Sequence, residues 1–309
     1  MLVKDRGKSI RIRKLEVMQR RVIKLHPKYL SMEDELSGRL AGHFGEQSND
    51  YFLKPFRDFS VMHDLRLTAH ESYFQIDTLL LSPRYLLNLE VKYITGTLVF
   101  DHLNQVIRVK DDGSEESFRN PIFQVKRQQS HLIEWMIKNR IPPIPVRLLV
   151  VRSNPRTIIK APPSNNLQEK IKMIDKMYTD EKLTIKEVTK LSKLLVQHHC
   201  PENPDLLKRY GIEEKDIIKG VYCTECFYLR VVRQYGKWHC SRCNFQSEDL
   251  HLATLEDFAL LFGPTITNKQ FCDFLQVPSR HVAKRILRTL DLSYTGTYKN
   301  RKYLLPYLL

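Results

Sequence analysis

The chain has 309 residues, and its 50 Lys and Arg against 35 Asp and Glu give a formal net charge of +15. The length favours two or three compact domains, and the charge favours a polyanionic partner, with nucleic acid as the first candidate before an anionic membrane surface. No apolar run approaches the roughly 20 residues that cross a membrane, and the first residues lack the apolar core of a signal peptide, so we expect a cytoplasmic protein.

The first thirty residues combine ten Lys and Arg with apolar residues at helical spacing. This pattern predicts a basic amphipathic helix or arm over residues 1–35, although a solvated helical face without a partner fits it equally well. A second helical pattern runs from Met32 to Phe52 and includes Glu46.

A change of period after this helix predicts a sheet. Apolar stretches at residues 73–81, 85–91, 97–100 and 105–109 are typical of strands, mostly joined as hairpins by turns at Ser82-Pro83 and Asp112-Gly113. A helix follows Asn120-Pro121, and PVRLLVVRS is predicted as another buried strand. This order of elements predicts an α/β or α+β domain over residues 36–160.

Charged residues interrupt two of these apolar strands. Asp77 lies on the first, and Glu90 and Lys92 lie at the end of the second, where they point to the same face because side chains alternate along a strand. Two carboxylates at hairpin ends suit Mg²⁺ or Mn²⁺, and a lysine beside the metal can orient or activate an attacking water. An edge Glu/Lys pair worth under ~1 kcal/mol is the structural alternative, and spacing alone does not separate the two.

Further residues complete a recognisable set. Glu46 offers a third carboxylate, and Gln124 and Gln128 share one helix face. Together, Gly45-Glu46, Gln75-Ile76-Asp77, Glu90-Val91-Lys92 and Asn120-Pro121 with Gln124 resemble the NERD (nuclease-related) domain, a branch of the PD-(D/E)xK nuclease superfamily.

The resemblance implies a restriction-endonuclease-like α/β fold, with a mixed central sheet flanked by helices. It implies a nuclease that depends on Mg²⁺ or Mn²⁺, with Asp77 and Glu90 as metal ligands and Lys92 at the nucleophilic water. Glu46 would support the metal or the phosphate, and Gln124 would complete the pocket. We expect DNA as the substrate. The alternatives are a non-catalytic nucleic-acid-binding or regulatory protein that retains the fold, and a membrane-surface or partner-binding adaptor.

Two cysteine pairs follow a linker and polar helices at residues 161–219. Cys223-x2-Cys226 and Cys240-x2-Cys243 are thirteen residues apart, which matches a tetrahedral structural Zn²⁺ site. The intervening segment predicts a hairpin turning at Tyr235-Gly236, and residues 220–247 resemble a zinc ribbon. A redox CxxC pair is the alternative.

The final segment, residues 248–309, has the pattern helix, turn at Val277-Pro278-Ser279, helix, hairpin, and it resembles a winged helix-turn-helix. A small helical protein-interaction module fits almost as well. In the DNA-binding interpretation, the second helix presents basic residues to nucleic acid, and the wing adds three more: Arg280, His281, Lys284, Arg285 and Arg288, then Lys299, Arg301 and Lys302.

Overall fold

The computed structural model of the protein describes residues 1–100, 105–154, 158–160, 167–297 and 300–306. The chain forms two compact units, one from Met1–Lys8 with Gly38–Glu202 and the other from Ser9–Ser37 with Asn203–Leu309. This division differs from the five segments predicted, because residues 1–35 contribute to both units. Within the described ranges, no helix is both long enough and apolar enough to cross a membrane.

The chain forms both helices and strands up to residue 202. In order these are β1 (Leu2–Lys4), α1 (Ile10–Arg21), α2 (Tyr29–Leu53), β2 (Ser60–Ala69), β3 (Ser72–Leu81), β4 (Leu86–Lys92), β5 (Thr97–Phe100), β6 (Val106–Val109), β7 (Glu115–Phe118), α3 (Pro121–Lys138), β8 (Val146–Arg152), β9 (Ile158–Lys160), α4 (Leu167–Met177) and α5 (Ile185–Gln197).

The first unit is built on a five-stranded sheet of order β1-β2-β3-β4-β8. The β2–β3 and β3–β4 pairs are antiparallel, whereas β1 lies parallel to β2 and β8 parallel to β4. The predicted mixed sheet is therefore confirmed, although the sequence patterns missed β1 and β2. A smaller sheet of order β7-β6-β5-β9 belongs to the same unit.

Helices cover both faces of the central sheet. Leu132 and Trp135 of α3 and Leu191 of α5 are buried in one cluster with β3 residues, and Ile171 of α4 is buried in a second cluster with β4 residues. Because α4 and α5 bury apolar faces here, they pack as part of the first unit. The segment 161–166, predicted as the linker, lies outside the described residues.

Smaller elements make up the second unit. After α1 and the start of α2 it contains α6 (Leu206–Tyr210), a short 3₁₀ helix (Glu214–Asp216), β10 (Val232–Gln234), β11 (Lys237–His239), β12 (Gln246–Ser247), α7 (Leu250–Phe262), β13 (Thr265–Thr267), α8 (Asn268–Leu275), α9 (Arg280–Thr289), β14 (Tyr294–Thr295) and β15 (Lys302–Leu304). The predicted zinc-ribbon hairpin is β10–β11, and the predicted helix–turn–helix is α8–α9. The hairpin β14–β15 follows α9, and β15 also pairs with β13, which precedes α8.

The basic helix α1 packs into the second unit instead of forming a free arm. Its apolar residues Leu15 and Met18 are fully buried in the core of this unit. Arg21 is also fully buried, and its Nε donates to Asp257 Oδ2 at 2.6 Å. Helix α1 thus lies within the segment predicted as a basic amphipathic helix or arm, and its apolar face supplies core contacts.

Candidate functional site

The strands β3 and β4 separate at one end, and the candidate site lies there. Their antiparallel ladder stops at the Thr78–Leu89 pair. Beyond it, the N–H of Val91 donates to Asp77 Oδ2 at 2.9 Å, so a side chain replaces the missing strand partner. Asp77 and Glu90 are 9% and 1% exposed. The acids predicted from the sequence are therefore buried and close to the same strand end.

Alternate residues of β4 form a polar row against α3. Lys92 Nζ donates to Glu90 Oε1 at 2.5 Å and to Gln124 Oε1 at 3.0 Å. Gln124 Nε2 donates to Glu90 Oε1 at 2.6 Å, and Gln128 Nε2 donates to Glu90 Oε2 at 2.9 Å. Asn88 Nδ2 then donates to Gln128 Oε1 at 2.8 Å. The two glutamines thus orient the Glu90 carboxylate, and Gln124 also accepts a hydrogen bond from the Lys92 ammonium.

Helix α2 reaches the site through a close contact at Gly45. A Cβ at this position would lie 2.5 Å from Tyr93 Cβ and 2.6 Å from Ser153 Oγ, so only glycine fits without a shift. The carbonyl oxygen of Gly45 accepts a hydrogen bond from the buried Asn49 side chain at 2.8 Å. Glu46 follows directly, and this approach brings its carboxylate within electrostatic range of Asp77 and Glu90.

Arg6 also belongs to this site. From the sequence, it counted only as one of the basic residues of the N-terminal segment. Its side chain is 1% exposed, and its Nη1 contacts Glu46 Oε2 at 2.6 Å and Asp64 Oδ1 at 3.0 Å. Its Nε donates to Asp50 Oδ2 at 3.0 Å. A strand is recognised from alternation over at least four residues, and β1 has only three. No periodic pattern therefore marked this segment as a strand.

Asp64 disturbs the regular ladder between β2 and β3. It has a φ of 51°, in the left-handed region that Asp tolerates better than most residues. The ladder skips this residue between the pairs formed by His63 and Leu65. Arg6 Nη2 lies 3.0 Å from His63 Nδ1, and an arginine can only donate, so Nδ1 accepts and His63 is neutral. Burial also lowers the pKa of His63 to about 4.

Two carboxyl groups of the site, those of Asp77 and Glu46, have raised pKa values. Burial raises the pKa of Asp77 well above its usual value, and the charges of Glu90 and Glu46 raise it further. Burial also raises the pKa of Glu46 to about 7, because the like charges of Asp64 and Glu90 add to burial and outweigh the opposing charge of Arg6. The protein therefore holds acids together at an energetic cost.

The donor set and charge of this group fit one divalent cation. With every group ionised, the five carboxylates would exceed the three cations by two negative charges: Glu46, Asp50, Asp64, Asp77 and Glu90, against Lys4, Arg6 and Lys92. A carboxylate offers about four acceptor positions. Glu90 accepts three hydrogen bonds and Asp77 one, so both have oxygen lone pairs for a hard cation.

A cavity of about 360 Å³ opens beside the two glutamines. Gln124 and Gln128 line it, so it adjoins the Glu90–Lys92 pair. Amide, guanidinium and aromatic groups provide the rest of its wall: Ser72, Tyr73, Phe74, Gln75, Arg127 and His131. The cavity thus offers hydrogen-bond donors, and its link to the site is through the two glutamines that bond Glu90.

Four cysteines converge in the second unit. The Sγ atoms of Cys223, Cys226, Cys240 and Cys243 all lie within 4.8 Å of one another. Two of the Sγ–Sγ distances, Cys223 to Cys243 and Cys226 to Cys240, are 3.6 Å, near the ~3.8 Å edge of a tetrahedron with metal–sulfur bonds of about 2.3 Å. The sequence prediction of a four-cysteine cluster is confirmed.

The two cysteine pairs have the same local geometry. The N–H of Phe227 donates to the carbonyl of Cys223, and the N–H of Asn244 donates to the carbonyl of Cys240, both at 2.9 Å. Phe227 and Asn244, each directly after a second cysteine, have φ values of 57° and 59°. Such repeated turns direct both thiols of a pair toward one point, as a structural metal site requires.

Helix α9 exposes a basic face. Ser279 caps the helix by accepting a hydrogen bond from Val282 N at 3.3 Å, and its buried face consists of Ala283, Ile286 and Leu287. All five basic residues predicted on this helix are exposed: Arg280, His281, Lys284, Arg285 and Arg288. On the wing, Lys302 is exposed and Arg301 lies 4.0 Å from the Tyr294 ring centroid, whereas Lys299 lies outside the described residues.

Comparison with known proteins identifies the first unit. The family model described as the nuclease-related domain, NERD, matches residues 41–153. This stretch includes Glu46, Asp77, Glu90, Lys92 and Gln124, but not Arg6. No curated protein matches the chain, and no solved structure matches it. Residues 41–153 therefore match the nuclease-related domain, and a four-cysteine cluster compatible with a zinc ribbon follows them in sequence.

Proposed function

We propose that the protein is a divalent-metal-dependent nuclease that hydrolyses phosphodiester bonds in DNA. The observation that carries the proposal is the contact between Lys92 Nζ and Glu90 Oε1 at 2.5 Å, beside the buried Asp77 at the separated strand ends. An acid pair with an adjacent lysine is the arrangement expected where a metal and a nucleophilic water meet. The match to the nuclease-related domain supports this assignment.

In this proposal, Asp77 and Glu90 hold one Mg²⁺ or Mn²⁺, and Glu46 lies close enough to support the metal or the phosphate. The bound metal would polarise the phosphate and neutralise the charge that develops on its oxygens. Lys92 would orient the attacking water and stabilise developing charge, and Gln124 would keep the lysine amine at the site through its 3.0 Å contact. Gln128 would fix the other oxygen of Glu90.

The second unit would bind the nucleic acid. In the proposal, Zn²⁺ is held by the four cysteines and maintains the ribbon, since a ribbon of about this size needs its metal to fold. Arg280, Lys284, Arg285 and Arg288 would contact phosphates from the exposed face of α9. These contacts would raise affinity for DNA of any sequence.

A non-catalytic nucleic-acid-binding protein remains the second candidate, since a nuclease-like fold can bind without cutting. It would not need the lysine beside Glu90, whereas hydrolysis does. Asp77 accepts from the Val91 N–H between Glu90 and Lys92, which bond each other, and this grouping of two acids and a lysine favours the enzyme.

Cleavage of labelled linear, circular and single-stranded DNA, with and without Mg²⁺ or Mn²⁺, tests the proposal. Asp77→Asn should abolish metal-dependent cleavage, and Lys92→Ala should reduce it by about 10²-fold or more while metal and DNA still bind. The matched controls Asp180→Asn and Lys186→Ala change exposed residues of the same unit and should retain activity. Full activity of a folded Lys92→Ala protein would refute this mechanism.

A further inference from the structure

Arg6 lies at the centre of a second group of carboxylates beside the proposed metal site. Two of them, Glu46 and Asp50, come from α2, and the third, Asp64, comes from β2. The remaining nitrogen, Nη2, lies 2.8 Å from Thr78 Oγ1 and 3.2 Å from the carbonyl oxygen of Asp77. The guanidinium is thus surrounded by oxygen atoms, as a hard metal ion would be.

Glu46 links this group to the proposed metal site. Its Oε2 accepts from Arg6 Nη1 at 2.6 Å, while its charge acts on Asp77 and Glu90. In two-metal active sites, two cations lie roughly 3.5–4 Å apart and together stabilise the attacking and leaving oxygens. Here the Glu46 carboxylate lies between the Arg6 guanidinium and the proposed metal position, as a bridging carboxylate lies between two metal ions.

We infer that Arg6 is a built-in cation in the place of a second metal ion, so that the nuclease site binds one divalent cation per chain. Arg6 acts here as a positioning residue, because its fixed fork of donors sets the orientation of Glu46. The inference rests on the proposed metal-dependent nuclease. Arg6 lies outside the residues matched by the nuclease-related domain, so the family match assigns it no role.

The two cations of the site differ in how easily they could be displaced. The side chain of Lys92 is 23% exposed and contacts only Glu90 and Gln124, so it can move aside when a metal approaches Glu90. The Arg6 side chain is 1% exposed and held by three carboxylates, and displacing it would leave these carboxylates without their shared cation. Metal binding is therefore expected at the Lys92 side and not at the Arg6 side.

Removal of the guanidinium should convert its position into a metal site. Glu46, Asp50 and Asp64 would lose their shared cation, and Asp64 Oδ2 is already buried without a hydrogen-bond partner. Three carboxylates with the nearby His63 imidazole form a donor set that suits Mn²⁺. Arg6→Ala should therefore bind two Mn²⁺, whereas Arg6→Lys keeps one positive charge and should bind one.

The test is a titration of the full zinc-loaded chain with Mn²⁺, in which calorimetry and electron paramagnetic resonance measure the number of bound ions and their coupling. The wild type should bind one Mn²⁺ with an uncoupled spectrum, and folded Arg6→Ala should bind two with a spectrum broadened by metal–metal coupling. Arg84→Ala, which removes the 2.6 Å ion pair to Asp175 in the same unit, is the control and should still bind one.

Two Mn²⁺ in the wild type, or one in folded Arg6→Ala, would overturn the role of Arg6 and leave the proposed nuclease intact. No Mn²⁺ in the wild type would instead refute the proposed metal-dependent nuclease, and the inference with it. If Arg6→Ala does not fold, the number of Mn²⁺ ions bound by the wild type decides between the outcomes. That number must be one, and Arg6→Lys must bind the same number.

Discussion

Glu46→Gln should stabilise the first unit at high pH when no divalent cation is present. Glutamine keeps an oxygen that can accept the hydrogen bond from Arg6 Nη1, now 2.6 Å long, but it carries no charge. The substitution therefore removes the repulsion that Glu46 experiences from Asp64 and Glu90, and it also removes the cost of burying a carboxylate.

The magnitude follows from the raised pKa of Glu46, about 7 against an ordinary value of 4.5. A difference of one pKa unit corresponds to about 1.4 kcal/mol, so the full effect is at most on the order of 3 kcal/mol, for a side chain that is 22% exposed. Stability present in the wild type below pH 4.5 is lost as the pH rises through about 7. The variant does not suffer this loss.

Thermal melting at pH 5 and pH 8, in buffer free of divalent cations and without chelator, checks this prediction. The variant should gain up to about 10 °C at pH 8 and much less at pH 5, since 1 kcal/mol shifts melting by about 2–4 °C in a domain of 150–250 residues. Glu71→Gln, at an exposed position of the same unit, should show no such dependence. A gain that is equal at both pH values, or a loss at pH 8, would refute the reasoning.

Three further substitutions test other parts of the structure. Gly45→Ala should cost about 1–3 kcal/mol, because the new Cβ would lie 2.5 Å from Tyr93 Cβ, and an unchanged melting temperature would contradict this close approach. Cys226→Ser should release Zn²⁺ and destabilise the second unit, whose core includes two of the four cysteines; elemental analysis that still finds zinc would contradict the four-cysteine site. Neutralising three cations of α9 should lower the slope of log DNA affinity against log salt by up to about 2.7, and an equal change in the matched α5 control would mean that only net charge matters. The two triple variants replace Arg280, Lys284 and Arg288, or the exposed Lys186, Lys190 and Lys193, with glutamine.

Local chemistry made part of the protein predictable. The polar row of β4 follows from alternation along a strand, and the shared face of Gln124 and Gln128 follows from the helical period. The hairpin turning at Tyr235-Gly236 and the convergence of four thiols follow from short spacings along the chain. In each case the residues that meet are near in sequence or belong to elements of regular period.

Patterns of this kind did not reveal the partners of the basic N-terminal segment. Its ten Lys and Arg predicted a basic amphipathic helix or arm, whereas the structure buries Arg6 among carboxylates of the first unit and Arg21 against Asp257 in the second. A charge run records the residue types but not their partners. Those partners lie forty or more residues away for Arg6 and more than two hundred for Arg21.

By itself, the sequence determined the mixed α/β class, the order of the acids and lysine, and the four-cysteine site, because these depend on residue type and short-range periodicity. Only the tertiary structure decided that β3 and β4 separate at Asp77, that Gly45 lets α2 approach Tyr93, and that Arg6 lies among three acids. These features depend on long-range packing and on the electrostatic balance of buried charges, which no local pattern of residues encodes.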